Sequence, residues 1–179
     1  MMADQSMPES EYRYSGGEAA HNHAYLSPVL KRLLAQHHPD TVFDLGCGNG
    51  ATSDWIRRQG HAVLGIDASP SGIVQARANY PEVEFNEGSA YDQLAEKFGQ
   101  FPMVVSLEVV EHLFAPRKFA ATVFDLLTPG GVAVISTPYH GYLKNLALAL
   151  SGKMDRHFTA LWDGGHIKFF SRKTLAQLL

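Results

Sequence analysis

A single cysteine, Cys47, stands in a chain of 179 residues, so no disulfide can close within it. Charge is sparse as well. Asp, Glu, Lys and Arg make up 18 % of the residues, the formal net charge is -3, and no basic block occurs. Such a balance gives no footprint for a nucleic-acid backbone as partner. Long apolar runs are missing too: the greasiest segment, Leu143 to Leu150, is interrupted by Lys144 and Asn145 and is too short for stable membrane insertion. Nothing at the amino end has the form of a secretory signal, which together with the lone cysteine fits a reducing, cytoplasmic setting. There are no internal repeats and no low-complexity tract. Hydrophobic residues reach 45 %, enough for one domain with a sizeable core.

Residues 1–20 are polar and glycine-containing, as in a flexible N-terminal tail, and residues 21–179 carry the folded domain. Leu26, Val29, Leu30, Leu33 and Leu34 recur at helical spacing from Tyr25 to His37. Short β-rich runs then alternate with helical patterns. The runs are Thr41–Leu45, Ala62–Ile66, Val83–Phe85, Met103–Leu107 and Val132–Ser136. The helices are Thr52–Gln59, Pro70–Tyr80, Asp92–Phe98, Pro116–Leu127, Tyr142–Leu150 and Arg172–Leu179. Ser69-Pro70 is a capped helix start, and Thr128-Pro129-Gly130-Gly131 reads as a stop and turn. This rhythm predicts an α/β fold, a Rossmann-like doubly wound parallel sheet with helices on both faces.

The stretch VFDLGCGNGATSDW, Val42 to Trp55, places Gly46, Gly48 and Gly50 directly after the first run. Glycines at a strand-to-helix turn let a ligand approach bare backbone amides and the start of the next helix. Gly46, Gly48 and Ala51 also satisfy the dinucleotide fingerprint, with Asp67 near the distance expected of a ribose contact. The glycines alone therefore leave an NAD-dependent oxidoreductase open. Asp44 argues against a diphosphate: a carboxylate beside the turn would repel it, and no Lys or Arg follows until Arg57. A zwitterionic ligand bearing an ammonium and a sulfonium suits that acid, the attraction being worth about 1–4 kcal/mol according to the local dielectric.

FDLGCGNG, GIDAS at Gly65–Ser69, EGSAYD at Glu87–Asp92 and LTPGGVAVIS at Leu127–Ser136 follow in order. Together they resemble the class I S-adenosylmethionine-dependent methyltransferases. The resemblance covers about Tyr25 to Leu179 and implies a seven-stranded sheet of order 3-2-1-4-5-7-6. It implies that Asp44, Gly46, Gly48 and Asn49 hold the methionine part of S-adenosyl-L-methionine and that Asp67 accepts from both ribose hydroxyls. Ala68 would lie against the adenine, Ser89 and Ala90 at its edge, and Leu107 beside the methionine part. The plainer alternatives are that Asp67 only caps a strand end and Asp92 only caps a helix.

SLEVVEHLFAP follows the fourth run. On a helical turn the spacing of Glu108, Glu111 and His112 puts all three on one face. The stretch is similar to the E-x-x-E-H pattern of the ubiquinone-biosynthesis type of O-methyltransferase. That resemblance implies Glu108, Glu111 and His112 as ligands of a divalent ion such as magnesium, and His112 as a possible base for a phenol acceptor. Alternatively the Glu-His pair is structural, with Glu111 on backbone amides. Thr137 to Phe170 carries nine histidines and aromatics and reads as an insertion over the acceptor pocket, walled for an aromatic or lipid-like small molecule. His166, by resemblance, faces the active-site side; with Glu111 and His112 it completes the candidate catalytic set. The alternative is that these aromatics fill core and the histidines are solvated. His21, His23, His37 and His38 match no zinc spacing.

The chain stops near the helix opened by Ser171, where the family's last two strands would follow. A truncated chain is the expectation, because VAVIS would otherwise be an uncovered apolar edge. The enzyme expected is a methyltransferase acting on oxygen of a small, partly apolar acceptor; the alternative from another class is a non-catalytic cofactor-binding scaffold. A dimer is compatible with the composition, which does not require one.

Overall fold

The computed structural model describes residues 23–158, 160–162 and 164–179. The expected N-terminal tail and His21 lie outside the described residues. Helix α1 (His23–His37) leads into β1 (Thr41–Leu45), α2 (Ala51–Arg58), β2 (Ala62–Asp67), α3 (Pro70–Asn79) and β3 (Glu84–Glu87). Then come α4 (Leu94–Phe98), β4 (Phe101–Leu107), a 3₁₀ turn (Val110–His112), α5 (Pro116–Leu126), β5 (Leu127–Ser136), α6 (Tyr142–Leu150), α7 (Met154–Phe158) and α8 (Arg172–Leu178). The five strands form one parallel sheet of order β3-β2-β1-β4-β5. The implied order therefore holds through its first five strands. Among the described residues no sixth or seventh strand follows, and no helix is long and apolar enough to cross a membrane.

The side-chain alternation of strands splits the core cleanly. Val42 of β1 and Met103 and Val105 of β4 point to one face and pack with Leu30 and Leu34 of α1 and Ile56 of α2. Phe43, Leu45 and Val104 point to the other face, where Leu94 of α4 and Phe119, Val123 and Leu126 of α5 cover them. Both faces are covered, so β1 and the middle of β4 are apolar on consecutive residues, which is why these runs were legible. Burying each large side chain contributes on the order of 1.5–3 kcal/mol. A third cluster, Cys47, Ile73, Ala76, Val83 and Phe85, seats α3 beneath the glycine turn.

Local signals acted as expected at Ser69, whose hydroxyl accepts from the Gly72 amide with Pro70 in the first turn of α3. Two places differ. The Thr128–Gly131 turn does not stand apart from the fifth strand: α5 ends at Leu126 and Leu127 already pairs with Phe101. The register then jumps to Met103 opposite Val132, so the Pro-Gly-Gly residues bulge out of the ladder, with Gly130 at φ 80°. The second is Glu108, which leaves β4 at φ 57° and breaks any helical turn running from it to His112. Only Val110–His112 coil, as 3₁₀.

Candidate active site

The glycine turn sits at the carboxyl ends of β1 and β2. The amides of Gly46 and Cys47 both donate to the Ile66 carbonyl, at 2.7 and 3.0 Å, which straps the turn to the neighbouring strand. Gly46, Gly48 and Gly50 have φ of 86°, 56° and 83°, a region other residues enter only with strain. At two of them the protein itself demands glycine. A Cβ on Gly46 would stand 2.3 Å from Val109 Cγ2, and one on Gly50 would stand 2.6 Å from Phe85 Cζ.

Asp44 is 2 % exposed and accepts a 2.5 Å hydrogen bond from the Ser53 hydroxyl on α2. Burial pushes its carboxyl up to about 7; the Ser53 bond opposes the shift and the nearby Asp67 adds to it. Asp67, at the end of β2, accepts from the Gly48 amide on one oxygen and from the Ser69 amide on the other, both at 2.8 Å. Its carboxyl is also raised by burial, against these two bonds. Asp67 is thus more than a strand cap: it ties the glycine turn to the start of α3. Asn49 is buried, its side-chain oxygen on the Ala51 amide. Ala68 is exposed, Ser89 and Leu107 are half-buried, and the Ala90 side chain belongs to the core. Asp92 accepts from the Ser89 amide at 2.8 Å, so it shapes that loop. Arg57, the first cation after the turn, reaches Asp54 and Glu82 at 3.0 and 2.7 Å.

Val109 links this turn to the second constellation, which lies just beyond β4. The structure gathers Glu111, His112 and His166, with one ligand atom from each within 4.8 Å of the others. Glu108 does not join them. Its left-handed backbone sends the side chain to β5, where it accepts from the Ser136 hydroxyl at 2.7 Å, and its amide donates to the Ser136 carbonyl at 3.1 Å. The expected set of Glu108, Glu111 and His112 on one helical face is corrected accordingly: there is no helical face for them to share.

Glu111 is 1 % exposed, and its carboxylate is enclosed by the protein. Burial raises its carboxyl to about 7. Its own backbone amide and the Thr137 hydroxyl oppose that rise, and the charge of Glu108 adds to it. The Glu111 carbonyl accepts from both the Ile167 and Lys168 amides at 2.9 Å. His112 Nδ1 lies 2.8 Å from the Gly164 carbonyl and must be the donor, since a carbonyl only accepts. His166 Nε2 lies 4.0 Å from Glu111 Oε1, and its ring meets the His112 ring edge-on with centroids 4.8 Å apart. Trp162 packs edge-on against His112 at 6.2 Å. Burial, then the charges of His112, His140, His157 and Lys144, pull the His166 pKa down.

The rest of the 137–170 segment divides. His140 packs on Phe158 and Phe169, with His157 beside it, and Phe170, paired with Tyr139 in an isolated bridge, returns to the core. Helix α6 buries no residue. Tyr25 lies within α1, and its phenol is raised by burial and by the charges of Glu108 and Glu111, which puts α1 beside this cluster. Ser53, Ser136 and Gly164, which position Asp44, Glu108 and His112, carry no signal in the sequence: each acts through a partner distant in the chain.

A family model described as a methyltransferase domain matches residues 19–179. Among curated relatives, the ubiquinone biosynthesis O-methyltransferase of Caulobacter vibrioides is 39 % identical over 116 residues, 63 % of this chain and 46 % of that protein. The protein of the same name from Caulobacter sp. strain K31 is 37 % identical over 145 residues, 73 % of this chain and 57 % of its own. The chain spans about half the length of the curated relatives it matches. Among solved structures, YcgJ of Bacillus subtilis superposes with a TM-score of 0.68 at 18 % identity, covering 87 % of this chain and 66 % of that one. CalS10, an amino pentose methyltransferase of Micromonospora echinaspora solved with S-adenosylmethionine bound, gives 0.56 at 25 % identity over 69 % and 53 %. With the family model matched over residues 19–179 and a fold that superposes on those of solved methyltransferases, the chain belongs to the methyltransferase-domain family and carries the class I methyltransferase fold.

Proposed function

We propose that the chain catalyses S-adenosylmethionine-dependent methyl transfer to an oxygen of a small, partly apolar or aromatic acceptor. The observation that carries this is the contact between the glycine turn and the segment holding Glu111 and His112, made by Gly46 against Val109. Donor and acceptor chemistry thereby share one end of the sheet. The names of the curated relatives support the oxygen acceptor, and CalS10 supports the cofactor.

The residues present suit S-adenosylmethionine. The buried Asp44 complements a cationic amino acid, and Arg57, the cation that could have served a diphosphate, is engaged by Asp54 and Glu82. Asp44, Gly46, Gly48 and Asn49 would hold the methionine part and Leu107 would border it. Each oxygen of Asp67 takes one amide and retains acceptor capacity for a ribose hydroxyl. The exposed Ala68 and the backbone of Ser89 and Ala90 would meet the adenine. When bound, this group supplies a methyl on a sulfonium that leaves without protonation. The chain has to align the acceptor, worth about 7–11 kcal/mol, and to take the acceptor's proton. His166, held neutral by its surroundings, is the base, and Glu111 behind it stabilises the imidazolium that forms. His112, pinned by Gly164, sets the wall against which His166 rests.

Magnesium does not fit. Two of the three side chains that meet are imidazoles, whereas magnesium takes oxygen ligands and keeps water. No step is assigned to it. Methyl incorporation into a panel of phenols and carboxylates tests the proposal, and the base assignment predicts that His166→Ala loses about 10²–10⁴-fold in kcat while cofactor affinity stands. Equal turnover in the variant refutes the base, and no turnover with any acceptor despite cofactor binding favours the scaffold.

A further inference from the structure

We propose that Glu108 is a positioning residue: locked onto Ser136, it turns the chain out of β4 so that Glu111 and His112 meet His166. The proposal rests on the methyl-transfer reading above, with Glu108 acting through those side chains and not on the acceptor. Leu107 and Ser136 are paired at the end of the β4–β5 ladder. Glu108, the next residue, holds that serine with backbone and side chain together. Its amide donates to the Ser136 carbonyl and to the Ser136 hydroxyl oxygen, each at 3.1 Å, and the hydroxyl in turn donates to its carboxylate at 2.7 Å. These bonds keep Glu108 at φ 57°, where a residue with a side chain persists if its surroundings over-determine it. Among the described residues His38 is the other non-glycine at positive φ, and it directly follows α1, where that conformation is common. Glu108 ends no helix.

The residues that follow carry the consequence. Val109 stands against Gly46 of the glycine turn. The Glu111 carbonyl takes the Ile167 and Lys168 amides, and His112 donates to the Gly164 carbonyl, so the stretch bearing His166 docks on this turn. An extended Glu108 would carry the chain onward along β4 and move the dock. As folded, one side-chain atom from each of Glu111, His112 and His166 lies within 4.8 Å of the others. A carboxylate that bound an ion or took a proton would need its charge. One that holds a backbone needs an oxygen for the Ser136 hydroxyl, and no charge.

The test compares the whole chain with Glu108→Ala, Glu108→Gln, Glu108→Gly and Ser136→Ala, each checked for folding by thermal melting. Glutamine keeps an accepting oxygen; glycine loses it but enters the left-handed region freely; alanine does neither. Turnover is measured above the pH at which Glu111 ionises, because the Glu108 charge raises that pH. Glu108→Ala and Ser136→Ala should lower kcat with little change in KM, by up to about 10²-fold, the cost of a misplacement near 1 Å. Glu108→Gln should restore kcat, and Glu108→Gly should exceed Glu108→Ala. Should Glu108→Ala not fold, Ser136→Ala takes its place in the comparison. A readout independent of turnover is the pair of imidazole proton resonances from His112 and His166, whose rings meet edge-on with centroids 4.8 Å apart. They should shift toward free-histidine positions in Glu108→Ala and stay in place in Glu108→Gln. Resonances unmoved in Glu108→Ala, a loss in Glu108→Gln as deep as in Glu108→Ala, or Glu108→Gly no better than Glu108→Ala overturns the positioning role. A parent that methylates no acceptor while its imidazole resonances respond as expected overturns the methyl-transfer reading instead.

Discussion

Asp44 has a carboxyl that titrates near 7 because it is buried beside a second acid, with one serine hydroxyl to offset the burial. In the unfolded chain an aspartate titrates near 4. Below that both states hold the proton and the residue has no effect on stability. Between about 4 and 7 only the unfolded chain ionises, so folding stability falls as pH rises, by up to about 4 kcal/mol for this residue. Glu111, also raised to about 7, acts in the same direction. Asp44→Asn should remove its share of the slope in denaturant melts from pH 4 to 8. A ligand ammonium placed beside it reverses the preference and draws Asp44 into its charged form. S-adenosylhomocysteine should bind more tightly with rising pH, by up to about tenfold per unit below 7 and level above it. In Asp44→Asn calorimetry should show no such rise. Asp67→Ala should weaken the same ligand while the fold persists; unchanged affinity would remove the ribose assignment.

At the scale of elements, the turn after β1 and the turn after β4 are fitted to each other. Gly46→Ala puts a methyl against Val109 at a positive φ, and should destabilise by about 1–3 kcal/mol in chemical denaturation. Adding Val109→Ala should recover the steric part and leave the backbone part, a difference a double-mutant cycle reads. Helix α8 depends on a different device, the reciprocal cap between Ser171 and Thr174. Ser171→Ala should cost about 1 kcal/mol, seen as faster amide exchange confined to Arg172–Leu178. Elements were the level at which the sequence was most readable. Thr41–Leu45 and Tyr142–Leu150 match the spans read from hydrophobic runs and turn residues, because those signals are local. Helix α7 and the bulge at Thr128–Gly131 were not foreseen. A five-residue helix has too few turns to show a period, and a bulge is defined by the partner strand.

For the whole molecule, the readable part was the glycine turn with its two acids and the unreadable part the cluster around Glu111. Asp44, Gly46, Gly48 and Asp67 lie in two short stretches at adjacent strand ends, so motif and geometry coincide. Glu108 and His166 do not: whether either joins Glu111 depends on one left-handed residue and on how the 137–170 segment folds back, which no spacing encodes. A thermal-shift comparison checks the ligand class of the intact chain. At 100 times its dissociation constant S-adenosylhomocysteine should add about 2.7 kcal/mol and raise the melting temperature by several degrees, with NAD giving no change.

The 137–170 segment is fastened by main-chain groups: the Glu111 carbonyl takes the amides of Ile167 and Lys168, and the Gly164 carbonyl takes His112. Fastenings of this kind are indifferent to which side chains the segment bears. On the function proposed above, residues there other than His166 can be exchanged to admit a different acceptor while the catalytic groups keep their place, so preference for the molecule being modified and the power to modify it can evolve largely on separate residues.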